Sequence, residues 1–160
     1  MSTTGSGRKT LSAKVFVDTS ALFSGIRSPS GYARDLLYAG SDGGADLIAS
    51  PVVVDEARRN LLRKGTPVDI SYLERLIRRG VLHLSGPEPE MVLAVARVVE
   101  FKDAPIVAGA IAAEAPMLAT YDRRHLLSQA DVIREAFGVE VLTPEDVLRR
   151  LADAAEQPPK

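Results

Sequence analysis

The sequence predicts an α/β fold in which a mainly parallel sheet is covered by helices on both faces. Short β-rich runs are separated by longer helical patterns, which is the order that builds a parallel sheet. Most helical patterns also open on an N-cap residue or a first-turn proline. The segment Ala104 to Ala113 (APIVAGAIAA) is apolar nearly all round, as a helix pressed against a sheet must be.

The first strand is expected at Lys14 to Val17 (KVFV), and Asp18, Thr19 and Ser20 lead from it into the next segment. Gly40 to Asp46 (GSDGGAD) reads as a turn before a second strand at Leu47 to Ser50 (LIAS). Ser50-Pro51 starts the following helix, and Lys64-Gly65-Thr66-Pro67 separates it from another. Further strands are expected at Val81 to Leu84, Met117 to Thr120 and Glu140 to Leu142. Helix starts lie at Pro87-Glu88, Asp103-Ala104-Pro105 and Thr143-Pro144-Glu145. Residues 1–13 and 153–160 are expected to be tails around one domain spanning 14–152, and 160 residues suffice for a single core.

Composition excludes several classes of function. The 46% hydrophobic content argues against disorder, and no apolar run approaches the roughly 18 residues of a membrane span. The N-terminus lacks the apolar segment of a signal peptide, so a soluble, cytoplasmic protein without membrane association is expected. With no Cys there is no disulfide framework, thiolate zinc site or cysteine nucleophile. The two histidines, His83 and His125, match no short zinc spacing, so any metal would be a hard cation held by oxygen. A net charge of -1 supplies no global attraction for nucleic acid, although it permits local basic patches.

Ligands of open α/β sheets bind beyond the carboxyl ends of the strands, and those positions are acidic here. Asp18 directly follows KVFV, and Asp122 follows MLAT by one intervening residue. Asp103 starts the most apolar helix, 19 residues before Asp122, a spacing that fits one helix and one returning strand. Glu56 lies in the second turn of the helix after LIAS, with Asp55 as the competing register. An Asp ahead of a helix ordinarily serves as an N-cap, and a helix Glu ordinarily pairs with a neighbour. Four acids from four segments at one edge fit a divalent cation better, because crowded carboxylates repel unless a cation neutralises them. Mg²⁺ or Mn²⁺ is the natural guest, and such a cation supports phosphodiester hydrolysis.

Four pieces of the sequence resemble the PIN-domain ribonucleases, and among them the bacterial VapC-like toxins. They are Val15 to Leu22 (VFVDTSAL), Ser50-Pro51 through Asp55-Glu56-Ala57-Arg58, Lys102 to Val107 (KDAPIV) and Leu118 to Asp122 (LATYD). The resemblance runs from about Lys14 to Leu148. It implies a three-layer α/β/α sandwich and a metal-dependent endoribonuclease, with Asp18, Glu56, Asp103 and Asp122 as the catalytic, metal-binding acids and water as nucleophile. Thr19, Ser20 and Thr120 match hydroxyl positions that steady those carboxylates. The resemblance further implies a homodimer and, for a toxin, a cognate antitoxin whose C-terminal segment covers the site.

Arg123 and Arg124, beside Asp122, are the basic residues expected to hold RNA phosphate. Among the aromatics, Tyr121 alone is placed to touch substrate. Leu22, Phe23, Leu36, Leu37 and Tyr38 fit either the core or an apolar interface. Two rival readings remain. One is a phosphatase of the haloacid-dehalogenase type using Asp18 as nucleophile, which would want an Asp where Ser20 stands and a phosphate-holding Lys for which Lys102 is the candidate. The other is a catalytically silent RNA- or partner-binding module on the same fold.

Overall fold

The computed structural model describes residues 12–157; of the expected tails, 1–13 and 153–160, residues 1–11 and 158–160 lie outside the described residues, Ala13 already belongs to the first strand, and 153–156 continue the last helix. Five strands, β1 (Ala13–Val17), β2 (Ala45–Ala49), β3 (Leu82–Leu84), β4 (Met117–Ala119) and β5 (Glu140–Leu142), form one sheet in the order β3-β2-β1-β4-β5. Every pairing is parallel. The expected strands are all present. The turn before β2 narrows to Asp42–Gly44, because the preceding helix continues through Ser41.

Eight α-helices connect and cover the strands: α1 (Thr19–Arg27), α2 (Tyr32–Ser41), α3 (Pro51–Lys64), α4 (Pro67–Arg78), α5 (Pro89–Val95), α6 (Ala104–Ala112), α7 (Ala130–Phe137) and α8 (Pro144–Glu156). Proline stands in the first turn of α3, α4, α5, α6 and α8, where its missing N–H removes no helical bond. Gly31 separates α1 from α2 with φ 115°, a backbone conformation that a Cβ would strain.

The register shows why both sheet faces are apolar. Phe16 pairs with Ile48 and Leu118 on one face, and Val15 pairs with Leu47 and Met117 on the other. α6 lies so close to the first face that a Cβ at Gly109 would sit 2.6 Å from Phe16 Cζ. α2 approaches the second face, where Gly40 meets Leu47. Helices on both sides make the architecture a three-layer α/β/α sandwich. Val15, Phe16, Leu47, Leu118 and Val107 are fully buried at its centre. Leu22, Leu36 and Leu37 belong to this core, while Phe23 is half-buried and Tyr38 exposed.

The chain reverses its direction of growth across the sheet between β1 and β4. Such a switch point leaves a crevice at the carboxyl ends of the two strands. It is closed here by the bond from Asp18 N–H to the Ala119 carbonyl at 2.9 Å and, on the far side of β4, by Thr120 N–H to the Leu142 carbonyl at 2.9 Å. Asp18 and Thr120, 102 residues apart in sequence, therefore become neighbours.

Candidate functional site

Asp18 occupies the N-cap position of α1, yet its side chain makes no capping bond. The same is true of Asp103 at the start of α6. Other helices of this chain are capped in the ordinary way: the hydroxyls of Ser50, Thr66 and Thr143 accept backbone N–H groups of α3, α4 and α8. At the two aspartates the carboxylate is committed elsewhere. Both are nearly buried, at 7% and 6% exposure, and the other buried polar residues among those described are Ser and Thr.

Asp18, Glu56, Asp103 and Asp122 line one cavity of about 650 Å³, together with Thr19, Ser20 and Lys102. The register of α3 resolves the choice between its two acids. Glu56 faces the cavity, whereas Asp55 turns away and pairs with Arg58 at 3.1 Å.

The Asp18 carboxylate is held by hydroxyls. Thr120 Oγ1 donates to Asp18 Oδ2 at 2.7 Å and Ser20 Oγ donates to the same oxygen at 3.1 Å. Each hydroxyl in turn accepts a backbone N–H, Ser20 from Tyr121 at 2.9 Å and Thr120 from Asp122 at 3.0 Å. With both hydroxyl protons committed to Asp18, the two oxygens meet at 3.3 Å without a proton between them. Thr19 Oγ1 donates to Glu56 Oε1 at 3.1 Å, tying α1 to α3 across the cavity. Burial pushes the Asp18 carboxyl above its ordinary value of 3.8; the hydroxyl and backbone bonds oppose this, and the charge of Asp122 adds to it. Desolvation thus outweighs the repulsion between acids that the sequence leads one to expect.

Behind the Asp103 side stand two residues that the sequence reading passed over, Glu100 and Gln129. Gln129 Nε2 donates to Asp103 Oδ2 at 3.0 Å and to the His125 carbonyl at 2.9 Å, while its Oε1 accepts the Glu100 N–H at 3.2 Å. One amide therefore holds the Asp103 carboxylate and joins the turns that carry Asp103 and Asp122. The His125 N–H donates to Asp122 Oδ1 at 3.1 Å, and Lys102 Nζ lies 2.8 Å from His125 Nε2. Glu100, Asp103 and His125 bring ligand atoms within 4.8 Å of one another. Among the described residues no three of the four predicted acids are gathered so tightly, although all four share the cavity. Nothing in the local sequence marks Glu100 or Gln129, since each reads as an ordinary polar helix-end residue.

A family model described as PIN domain matches residues 14–124, more than half of the chain. The chain belongs to the PIN domain family. Its fold is also that of a crystal structure of FitAcB from Neisseria gonorrhoeae, with a TM-score of 0.51 at 17% identity over 82% of this chain and 98% of that one. No curated protein matches the sequence.

Two expectations about this PIN domain's surroundings concern residues that stand outside the cavity lining. Arg123 and Arg124 are exposed, and neither lines the cavity. Tyr121 is also outside the lining. His83 is an exposed residue of the edge strand β3, as expected. Among the described residues no helix is long and apolar enough to cross a membrane.

Proposed function

We propose that this PIN domain is a metal-dependent endoribonuclease, the toxin of a toxin-antitoxin pair. The observation that carries the reading is the pair of buried aspartates, Asp18 and Asp103, that begin helices without capping them and open into one cavity with Glu56 and Asp122. Burying carboxylates without basic partners is unfavourable unless a cation joins them. The four acids offer only oxygen donors, which suit Mg²⁺ or Mn²⁺. Asp18, Glu56, Asp103 and Asp122 are the residues that would hold it, with Glu100 and His125 adjoining Asp103. Bound there, a divalent cation supplies charge neutralisation and Lewis acidity toward a phosphodiester oxygen.

The chain's own part is positioning. Ser20 and Thr120 present the Asp18 carboxylate in a single orientation, Gln129 does so for Asp103, and the His125 N–H does so for Asp122. Water is the nucleophile in this reading, and the two hydroxyls serve to hold the Asp18 carboxylate. The phosphatase alternative loses its support at both positions it needs: Ser20 is a structural donor, and Lys102 Nζ is engaged with His125. The open cavity is also the surface that an antitoxin segment would cover, and the working unit is a homodimer in the cytoplasm.

Cleavage of a mixed set of labelled RNAs with Mg²⁺, Mn²⁺ or EDTA, with Asp18→Asn run in parallel, tests the reading. Metal-dependent cleavage that the variant lacks supports it. Cleavage that survives both EDTA and the substitution comes from something other than these acids.

A further inference from the structure

We infer that the RNA strand leaves the acidic cavity along α3, over a basic track made by Arg59 and Arg63. The inference rests on the nuclease reading and assigns it a substrate path. Beside the acidic cavity lies a second one of about 460 Å³, lined by Glu56, Arg59, Asn60, Leu62 and Arg63. The two share Glu56 and Asn60 and so lie next to each other along α3. Positions 56, 59, 60 and 63 follow the three- and four-residue spacing that puts side chains on one face of a helix. That face changes from acidic at Glu56, where the cation belongs, to cationic within about one turn.

The neighbouring arginine shows that this is a particular arrangement and not a generally basic helix. Arg58 is turned to the opposite side and neutralised, with its guanidinium bonded to Glu74 at 2.7 and 3.2 Å and to Asp55 at 3.1 Å. Arg59 enters none of the ion pairs formed among the described residues. Arg63 donates to the neutral Asn60 side chain at 2.5 Å and so keeps its full charge in the second cavity. Leu62, 68% exposed, lies beside them as an apolar contact for a sugar or base. A polyanion with one phosphate at the acids and the following phosphates over Arg59 and Arg63 satisfies both cavities. Phosphate contacts of this kind set position and register without reading sequence.

The test is the affinity for a fluorescent single-stranded RNA, measured by anisotropy in EDTA across a salt series. The proteins compared are the wild type, the double variant Arg59→Ala/Arg63→Ala, its Lys/Lys counterpart, Arg58→Ala and Arg123→Ala/Arg124→Ala. The double alanine variant is expected to bind about tenfold more weakly, and its log–log salt slope is expected to shrink by about 1.4, the loss of two single-strand phosphate contacts. The Lys/Lys variant should recover most of the affinity, and Arg58→Ala should match the wild type. Unchanged affinity and slope in the double alanine variant would overturn the track, as would a loss that follows Arg123 and Arg124 instead. Hydrolysis of a small phosphodiester, bis-p-nitrophenyl phosphate, by the wild type with Mn²⁺ keeps the two readings apart. Hydrolysis together with an indifferent double variant refutes the track alone. RNA binding that depends on Arg59 and Arg63, without hydrolysis, refutes the nuclease reading and leaves the track standing.

Discussion

Two open hollows formed by the described residues differ in what they reveal, and the larger of the two is the less informative. A cavity of about 1000 Å³ lies over the sheet face near the start of β1 and is lined by Lys14, Asp46, His83 and Glu114 among others. Its charges are of both signs and exposed, and the Lys14–Glu114 pair spans 4.0 Å with the Glu114 side chain 84% accessible. The smaller cavity at the carboxyl ends of β1 and β4 holds buried acids that hydroxyls, an amide and backbone N–H groups orient and no arginine neutralises. Water already solvates the charges of the first cavity. In the second, desolvated negative charge is left for something else to neutralise. Unneutralised charge at a switch point marks the site better than volume does.

Substitutions on the two sides of this contrast should behave very differently. Asp18→Asn or Asp103→Asn is expected to lower metal-dependent RNA cleavage by about 10³-fold or more, the scale seen when one member of a catalytic unit is removed. Lys14→Ala and His83→Ala in the larger cavity should stay within about twofold. Equal losses from both sets would erase the distinction, and initial rates on one labelled RNA decide it.

Metal-linked stability gives the next largest effect. Mn²⁺ at about 100 times its Kd should stabilise the wild type by about 2.7 kcal/mol, a rise in Tm of about 5–10 °C for a domain of this size. His83→Ala should keep that gain and Asp18→Asn should lose it. Thermal melts over a Mn²⁺ series read both. Gln129→Leu sharpens the comparison within the site, because it frees the Asp103 carboxylate without removing a ligand. Its Mn²⁺ midpoint should rise about tenfold, as is usual when a supporting hydrogen bond to a ligand is lost.

The smallest effect concerns the metal-free protein. The folded pKa of Asp18 lies above its ordinary 3.8, so between those values the folded state binds more protons than the unfolded one. Stability is therefore lost as pH rises through that window. Asp18→Asn, which has no proton to lose, should melt above the wild type at pH 7, with the gap closing as pH falls toward the ordinary carboxyl value; thermal melts of both proteins across pH read it. A variant that melts well below the wild type would instead assign Asp18 a structural role.

The strands and the four acids were legible in the sequence because each depends on near neighbours: an apolar run, the residue that ends it, and a proline that starts the next helix. The choice between Asp55 and Glu56 needed the rotation of α3, which its buried face of Val53, Val54, Ala57 and Leu61 sets. Gln129 was illegible for a different reason. Its three partners, the Glu100 N–H, the Asp103 carboxylate and the His125 carbonyl, come together only when two turns at the sheet edge meet. Tyr121 stands beside Asp122 in sequence yet outside the cavity lining, a placement that its sequence neighbours do not determine.

Calorimetric titration of Mn²⁺ into the metal-free wild type, Asp18→Asn, Asp103→Asn and His83→Ala is the most direct test of a cation site at this edge. Saturable binding to the wild type and to His83→Ala, abolished or weakened at least tenfold in both aspartate variants, is the expected result. Binding that is undiminished in the aspartate variants, or absent from the wild type, would contradict it.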